Sequence, residues 1–182
     1  MATWTKIEGN LEDGEPLGMF VAEQDGQIWK AALCDHEHPL SEDEFVGRLD
    51  GRGWRQSEEY TGSSLLEAAI MQIRDYFAGN QLTFDLPLAL RGTPFQLRVW
   101  EELQRIPFGK TCSYGEIAER LERSGGMRAV GGANGKNRFP LIIPCHRVVA
   151  AGGRLGGYTG GIGLKARLLA HEVAVMRRRQ SA

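Results

Sequence analysis

The chain reads as an α/β N-terminal part, residues 1–90, followed by a mainly α C-terminal part, residues 91–182, built as a winged helix-turn-helix. Three observations predict this. A strand–turn–strand pattern and one amphipathic helix fill the first part. Capping boxes and a glycine turn punctuate short helices in the second. The charge also changes sign between them: residues 1–90 carry 17 Asp+Glu against 6 Lys+Arg, and residues 91–182 carry 6 against 16. The balances are −11 and +10 inside a formal net charge of −1.

In the first part, Leu17-Gly18-Met19-Phe20-Val21-Ala22 and Gln27-Ile28-Trp29-Lys30-Ala31-Ala32-Leu33 flank Asp25-Gly26 and predict a β-hairpin. Ser64 to Ala78 predicts a helix, because Leu65, Leu66, Ala69, Ile70, Ile73 and Phe77 recur at helical spacing and Gly79-Asn80 supplies a stop. Leu86-Pro87-Leu88-Ala89-Leu90 reads as an extended linker.

In the second part, Thr93-Pro94-Phe95-Gln96 is a capping box with proline at the first helical position. It opens a helix with Phe95, Val99, Leu103 and Ile106 on one stripe, ended by Pro107-Phe108-Gly109. Ser113-Tyr114-Gly115-Glu116 is a second box, opening a short helix with Ile117, Ala118 and Leu121 inward. Gly125-Gly126 breaks it, and Met127 to Asn134 restarts a helix containing Arg128 and Gly131-Gly132. Two short helices about a glycine turn predict a helix-turn-helix whose second member enters a nucleic-acid groove. Arg147 to Leu155 predicts a β-hairpin wing. Leu164 to Met176 predicts the last helix, with Leu164, Leu168 and Val175 on one face, and the tail Arg177-Arg178-Arg179 reads as solvated and disordered.

No stretch approaches the roughly 18 apolar residues of a membrane-spanning helix. Met1 to Lys6 has neither a basic nor an apolar leader region, so a cytoplasmic protein is expected. Cys34, Cys112 and Cys145 are odd in number and widely spaced, which argues for reduced thiols over a disulfide scaffold. Cys34 and Cys112 read as small apolar fillers. Cys34, His36 and His38 make an incomplete tetrahedral set, so no metal and no cofactor is expected. The basic half has the electrostatic footprint of a phosphate-backbone binder.

The chemistry concentrates at Pro144-Cys145-His146-Arg147, after the apolar run Leu141-Ile142-Ile143. Proline restricts the backbone before the thiol, and an imidazole beside a thiol raises its reactivity. Glu172, on the last helix, is available to orient that imidazole. In an extended segment Cys145 and His146 would point to opposite sides. Their cooperation therefore requires a bridging water or a local bend.

Arg128-Ala129-Val130-Gly131-Gly132-Ala133-Asn134, Asn137, Ile143-Pro144-Cys145-His146-Arg147-Val148-Val149 and Gly157-Tyr158-Thr159-Gly160-Gly161 resemble the O6-alkylguanine-DNA alkyltransferases (methylated-DNA–protein-cysteine S-methyltransferases). Phe108 to Gly115 and Leu168 to Glu172 fit the same pattern, so the resemblance covers 92–172. It implies a ribonuclease-H-like N-terminal domain, and direct repair of double-stranded DNA by a monomer. An O6-alkylated guanine, with O4-alkylthymine as a further substrate class, is flipped out and its alkyl group passes irreversibly to Cys145. His146 would act through a water with Glu172 behind it. Tyr114 would crowd the 3′ phosphate and protonate the departing oxygen, Arg128 would fill the vacated stack, and Asn137 would hold the cysteine loop. Val148, Tyr158 and Thr159 would line the base pocket. Gly131 would permit close approach of the helix, and Gln96, Ser113, Ala129, Lys136 and Arg154 are further DNA-contact candidates. The product is a thioether without a hydrolytic exit, so one molecule acts once. Arg138, where the family commonly has proline, and Ala166-Arg167 depart from the pattern.

Two other function classes compete. A non-catalytic sensor of alkylated bases, or a DNA-binding regulator, would use the winged helix without the thiol, yet Cys145 is intact. A Cys-His-Glu hydrolase would need neither the helix-turn-helix nor the basic half.

Overall fold

The computed structural model describes residues 2–49, 51, 53–57 and 64–181. It divides into two compact units, Met1–Ala89 and Leu90–Ala182. No helix among the described residues is long and apolar enough to cross a membrane.

The first unit is a mixed four-stranded sheet with helices. Strand β1 (Ala2–Asn10) pairs antiparallel with β2 (Pro16–Gln24), which pairs antiparallel with β3 (Gln27–Cys34). The short β4 (Arg55–Gln56) adds parallel to β1, giving the order β3-β2-β1-β4. The expected hairpin is present, and Asp25 and Gly26 both take positive φ, 54° and 75°. That is the twist a two-residue hairpin turn requires. β2 is buried along nearly its whole length, because both sheet faces are covered. On one face Phe20 and Ala22 join Trp4, Cys34, Leu40 and Leu49 around Phe45 of helix α1 (Glu42–Gly47). The rings of Phe20 and Phe45 stack at 5.0 Å. Helix α2 (Ser64–Phe77) covers the other face so closely that a Cβ on Gly9 would stand 2.5 Å from the Phe77 ring.

Within residues 86–90, expected as a linker, Pro87, Leu88 and Ala89 are tied to the sheet. Ile28 donates to the Pro87 carbonyl at 2.7 Å and Ala89 donates to Ile28 at 2.8 Å, in a parallel bridge between Ile28 and Leu88. β3 would otherwise present unpaired backbone groups at that edge, and the segment supplies their partners. Strand β1 and helix α1 were not anticipated. β1 mixes Trp4 and Ile7 with Thr3, Lys6 and Glu8, and it becomes a strand by pairing along its whole length with β2.

The second unit is mainly helical. Helices α3 (Pro94–Gln104) and α4 (Tyr114–Arg120) both open on reciprocal capping boxes, at Thr93/Gln96 and Ser113/Glu116. Both pack on α5 (Met127–Asn134), and the Trp100 indole N–H donates to the Ala133 carbonyl at 3.0 Å. The last helix, α6, runs from Ile162 to Gln180, so Arg177, Arg178 and Arg179 are ordered helical residues and not a disordered tail.

The expected hairpin wing does not form. Cys145–Arg147 is a single 3₁₀ turn, and Val148–Val149 (β6) pairs in parallel with Cys112–Ser113 (β5). The ladder bonds of β6 are thus used by β5. The following Gly152 and Gly153, at φ of 70° and 76°, reverse the chain in a second 3₁₀ turn, closed by Ala150 donating to the Arg154 carbonyl at 2.7 Å.

Phe45 has no exposed surface and anchors the face opposite α2. Phe45→Ala is expected to lower the stability of the N-terminal unit by about 3–5 kcal/mol, measured as a shift in denaturant midpoint; a loss below about 1 kcal/mol would refute that assignment.

Candidate active site and nucleic-acid face

The backbone delivers the thiol by a sequence of constrained turns. Leu141 holds φ of 73°, an unusual value for a branched side chain, while fully buried. Pro144, at φ −79° and ψ 62°, is the centre of an inverse γ-turn, in which Cys145 N–H donates to the Ile143 carbonyl at 2.7 Å. Asn137 fastens the same carbonyl: its Nδ2 donates to Ile143 O at 2.9 Å, and its Oδ1 accepts from Phe139 N–H at 2.9 Å. The 3₁₀ turn that follows is the local bend needed by Cys145 and His146.

Behind this turn lies a buried polar cluster. His146 Nε2 lies 2.8 Å from Glu172 Oε1. Arg147 Nε donates to both Glu172 oxygens at 3.0 Å, and its Nη2 donates to Oε1 at 2.9 Å. Gly109 N–H donates to Oε2 at 2.8 Å, and the remaining arm of Arg147, Nη1, donates to the Ile106 carbonyl at 2.8 Å. Burial alone would push the Glu172 carboxyl up, but His146 and Arg147 outweigh it and hold it down to about 2. Glu172 is therefore an ionised acceptor, and the hydrogen on His146 must sit on Nε2. Burial pulls the His146 pKa below its ordinary value despite Glu172, so the ring is neutral. Its Nδ1 then carries a lone pair and has no hydrogen-bond partner among the described residues.

The Cys145 side is also enclosed. The residue is 6% exposed, and burial pushes its thiol above the ordinary 9.0. Asn137, Tyr158, the residue's own amide and the Lys165 ammonium pull the other way without cancelling burial. The resting sulfur is consequently a thiol with anion-stabilising donors around it. The Tyr158 hydroxyl is buried without a hydrogen-bond partner among the described residues, and it is held well above its ordinary pKa by burial and then by the Cys145 charge. Tyr158 lines a cavity of about 580 Å³ together with Ser113, Tyr114, Arg128, Gly131 and Thr159 among others, and the buried Cys145 is not itself among the lining residues.

The family model described as 6-O-methylguanine DNA methyltransferase, DNA binding domain, matches residues 94–174. A methylated-DNA–protein-cysteine methyltransferase of Mycolicibacterium paratuberculosis is 54% identical over 104 residues, which are 57% of this chain and 63% of that protein. The chain thus spans less than two thirds of that relative's length. One from Methanosarcina acetivorans is 44% identical over 158 residues, covering 83% of this chain and 96% of that protein. The crystal structure of Mycobacterium tuberculosis OGT in complex with DNA superposes with a TM-score of 0.74 at 36% identity, covering 95% of this chain and 94% of that one. The chain belongs to the methylated-DNA–protein-cysteine methyltransferase family.

Against the family pattern, Cys145, His146, Glu172, Asn137 and Tyr114 converge. Tyr114 opens α4, and its hydroxyl reaches the Gly157 carbonyl at 3.5 Å. Arg128, in the first turn of α5, is exposed on the cavity rim with Ser113, Gly131, Tyr158 and Thr159. Val148 is not among the lining residues; its side chain is fully buried in β6, because the pairing with β5 turns it inward. Gln96 spends its side-chain carbonyl on the α3 capping box, accepting from Thr93 N–H at 2.9 Å. Ala129 is half-buried on α5, while Lys136 and Arg154 are exposed outside the cavity lining. His171, whose place in the sequence suggests a helix-terminus or surface histidine, is buried edge-on against Phe108 at 6.5 Å between ring centroids.

Two buried charges, Arg147 and Lys165, were missed as site residues. A signal existed for Lys165, since it follows Leu164 on the stripe that continues through Leu168, Glu172 and Val175. A charge at helical spacing within an apolar stripe marks a buried charge.

The depressed Glu172 pKa has a sign that can be tested. Its contribution to stability is fully present above the unfolded carboxyl value of about 4.5 and is lost as pH falls from there to about 2. The stability gap between wild type and Glu172→Gln, read from denaturant midpoints, should therefore shrink on acidification through that window. A gap independent of pH there would show that the carboxylate is not held ionised by its partners.

Proposed function

We propose that this chain repairs alkylated DNA directly, moving the alkyl group of O6-alkylguanine onto Cys145 in a single irreversible turnover. The observation that carries the reading is His146: its Nε2–H is committed to Glu172 and its Nδ1 lone pair is unpartnered, on the turn that presents the thiol. A water bridging Nδ1 and the sulfur would take the thiol proton as the sulfur attacks the alkyl carbon. The carbon–O6 bond breaks, the S–C bond forms, and Tyr114 donates its proton to the departing oxygen. Burial and the nearby sulfur raise the Tyr114 pKa, which keeps the phenol protonated for that role. The thiol proton, taken up through His146 and passed to solvent, is matched by a proton that solvent returns to the Tyr114 phenolate, so the net change is one proton moved from sulfur to the released guanine.

On this reading the second unit is a DNA-binding domain of winged helix-turn-helix type, with the 3₁₀ turn Ala151–Gly153 in the place of a hairpin wing. The first unit corresponds to the ribonuclease-H-like domain of the family. Duplex DNA lies on α5, and Arg128 fills the gap left by a base flipped into the cavity between Tyr114 and Tyr158. Gly131 and Gly132 support this. A Cβ on Gly131 would meet only the Tyr114 ring at 3.8 Å, and one on Gly132 would meet nothing within 4 Å. The fold itself does not require glycine at either position, although each costs a helix about 1 kcal/mol relative to alanine. A flat face for close approach of a partner accounts for both. Lys136 and Arg154 would contact phosphates, as suits a protein acting in any sequence context. A cytoplasmic monomer, active on O6-alkylguanine and in principle on O4-alkylthymine, completes the proposal.

Mass spectrometry after incubation with O6-methylguanine duplex should show one methyl gained per molecule, on Cys145. Cys145→Ala should show none and still bind the duplex. His146→Phe should slow transfer by about 100-fold or more, the scale of a lost general base. Multiple turnover, or methylation at another residue, would sink the reading. Arg128→Ala should slow transfer from paired DNA by about tenfold or more while sparing reaction with free O6-benzylguanine. Equal losses on both substrates would remove Arg128 from base flipping.

A further inference from the structure

Lys165 is the largest charged side chain wholly inside the molecule, with no exposed surface. Burying an ammonium is costly unless its charge is compensated, and lysine is almost never fully buried without a partner. No carboxylate pairs with it among the described residues. Its Nζ donates to the Val148 carbonyl at 2.5 Å and also to the Leu155 carbonyl. These acceptors belong to the two ends of one loop: Val148 follows the Cys145 turn, and Leu155 leads into Gly157-Tyr158-Thr159. The lysine therefore closes the loop that carries Tyr158 onto the segment that carries the sulfur.

The groups facing this ammonium are those of the acceptor site. Burial lowers the Lys165 pKa from its ordinary value and Cys145 opposes this without cancelling it, while Lys165 in turn lowers those of both Cys145 and His146. Arg147 is already matched by the Glu172 carboxylate at 2.9 Å, so its charge is spent within the polar cluster. Lys165 is the cation left for the sulfur. A fixed positive charge in a poorly solvated site stabilises an anion that develops beside it far more than it would in water.

We propose that Lys165 is a positioning residue of the alkyl-acceptor site, clasping the loop between Val148 and Leu155 and holding the buried positive charge against which the Cys145 anion forms. This rests on the reading of Cys145 as the acceptor. Because the clipped loop carries Tyr158, which also favours the anion, the neutral Lys165→Gln, which keeps a donor for the loop, separates the charge from the clip: a mere clip would leave its sulfur titration near that of the wild type. Peptide-resolved labelling of Cys145 by iodoacetamide across pH should shift its midpoint upward by about one pH unit or more in Lys165→Met, and likewise in Lys165→Gln, which retains a donor for one carbonyl. Duplex affinity should stay within about twofold, since the ammonium makes no phosphate contact. An unchanged midpoint in either folded variant would overturn the proposal. The reciprocal measurement needs no change at Lys165: by ¹³C NMR of the lysine ε-carbon, its titration should fall to lower pH in Cys145→Ala, and an unmoved titration would equally overturn it. If the wild type takes no methyl from O6-methylguanine DNA while these couplings are present, the repair reading fails and the Lys165–Cys145 linkage stands.

Discussion

A carboxylate with no exposed surface, Glu172, sets the terms for everything around it. An ionised carboxylate taken out of water must be matched by donors. Two regions of the second unit bring them to helix α6, which carries the glutamate: the cysteine turn through His146 and Arg147, and the segment before β5 through Gly109. Arg147 spans further, to the Ile106 carbonyl. Each Glu172 oxygen meets more than one donor, so the turn presenting the thiol is held by electrostatics as well as by packing. The same bonds decide the imidazole tautomer, and hence which nitrogen is free to accept a proton.

The sulfur occupies the opposite condition. It is enclosed enough to favour the neutral thiol, yet it is ringed by the Asn137 amide, the Tyr158 hydroxyl and the Lys165 ammonium, all of which favour the anion. On the proposed reading, such a site keeps the sulfur a thiol at rest and eases its ionisation when its proton is drawn away. The orphaned His146 Nδ1 fits this division, since it is a polar group left for water to meet.

The outer face follows a different logic. Helix α5 carries glycines the fold does not need, an exposed Arg128 and an open cavity beside it. These features make sense only with a partner present, and the +10 balance of residues 91–182 indicates its charge.

Local interactions were legible from the chain alone. The capping boxes at Thr93 and Ser113, the start and end of α5 and the Asp25-Gly26 turn each depend on residues within four positions of one another, and all appear where the pattern placed them. The blocks around Cys145 likewise announced the family to which the chain belongs. The tertiary structure alone decided the rest. Val148–Val149 became a parallel partner of Cys112–Ser113 where a wing hairpin had been expected, and β1 became a strand through β2. Arg147, Lys165 and His171 were revealed as interior groups. The reason is physical: which polar side chain is buried, and who compensates it, depends on contacts between segments tens of residues apart, and no local periodicity encodes that partner.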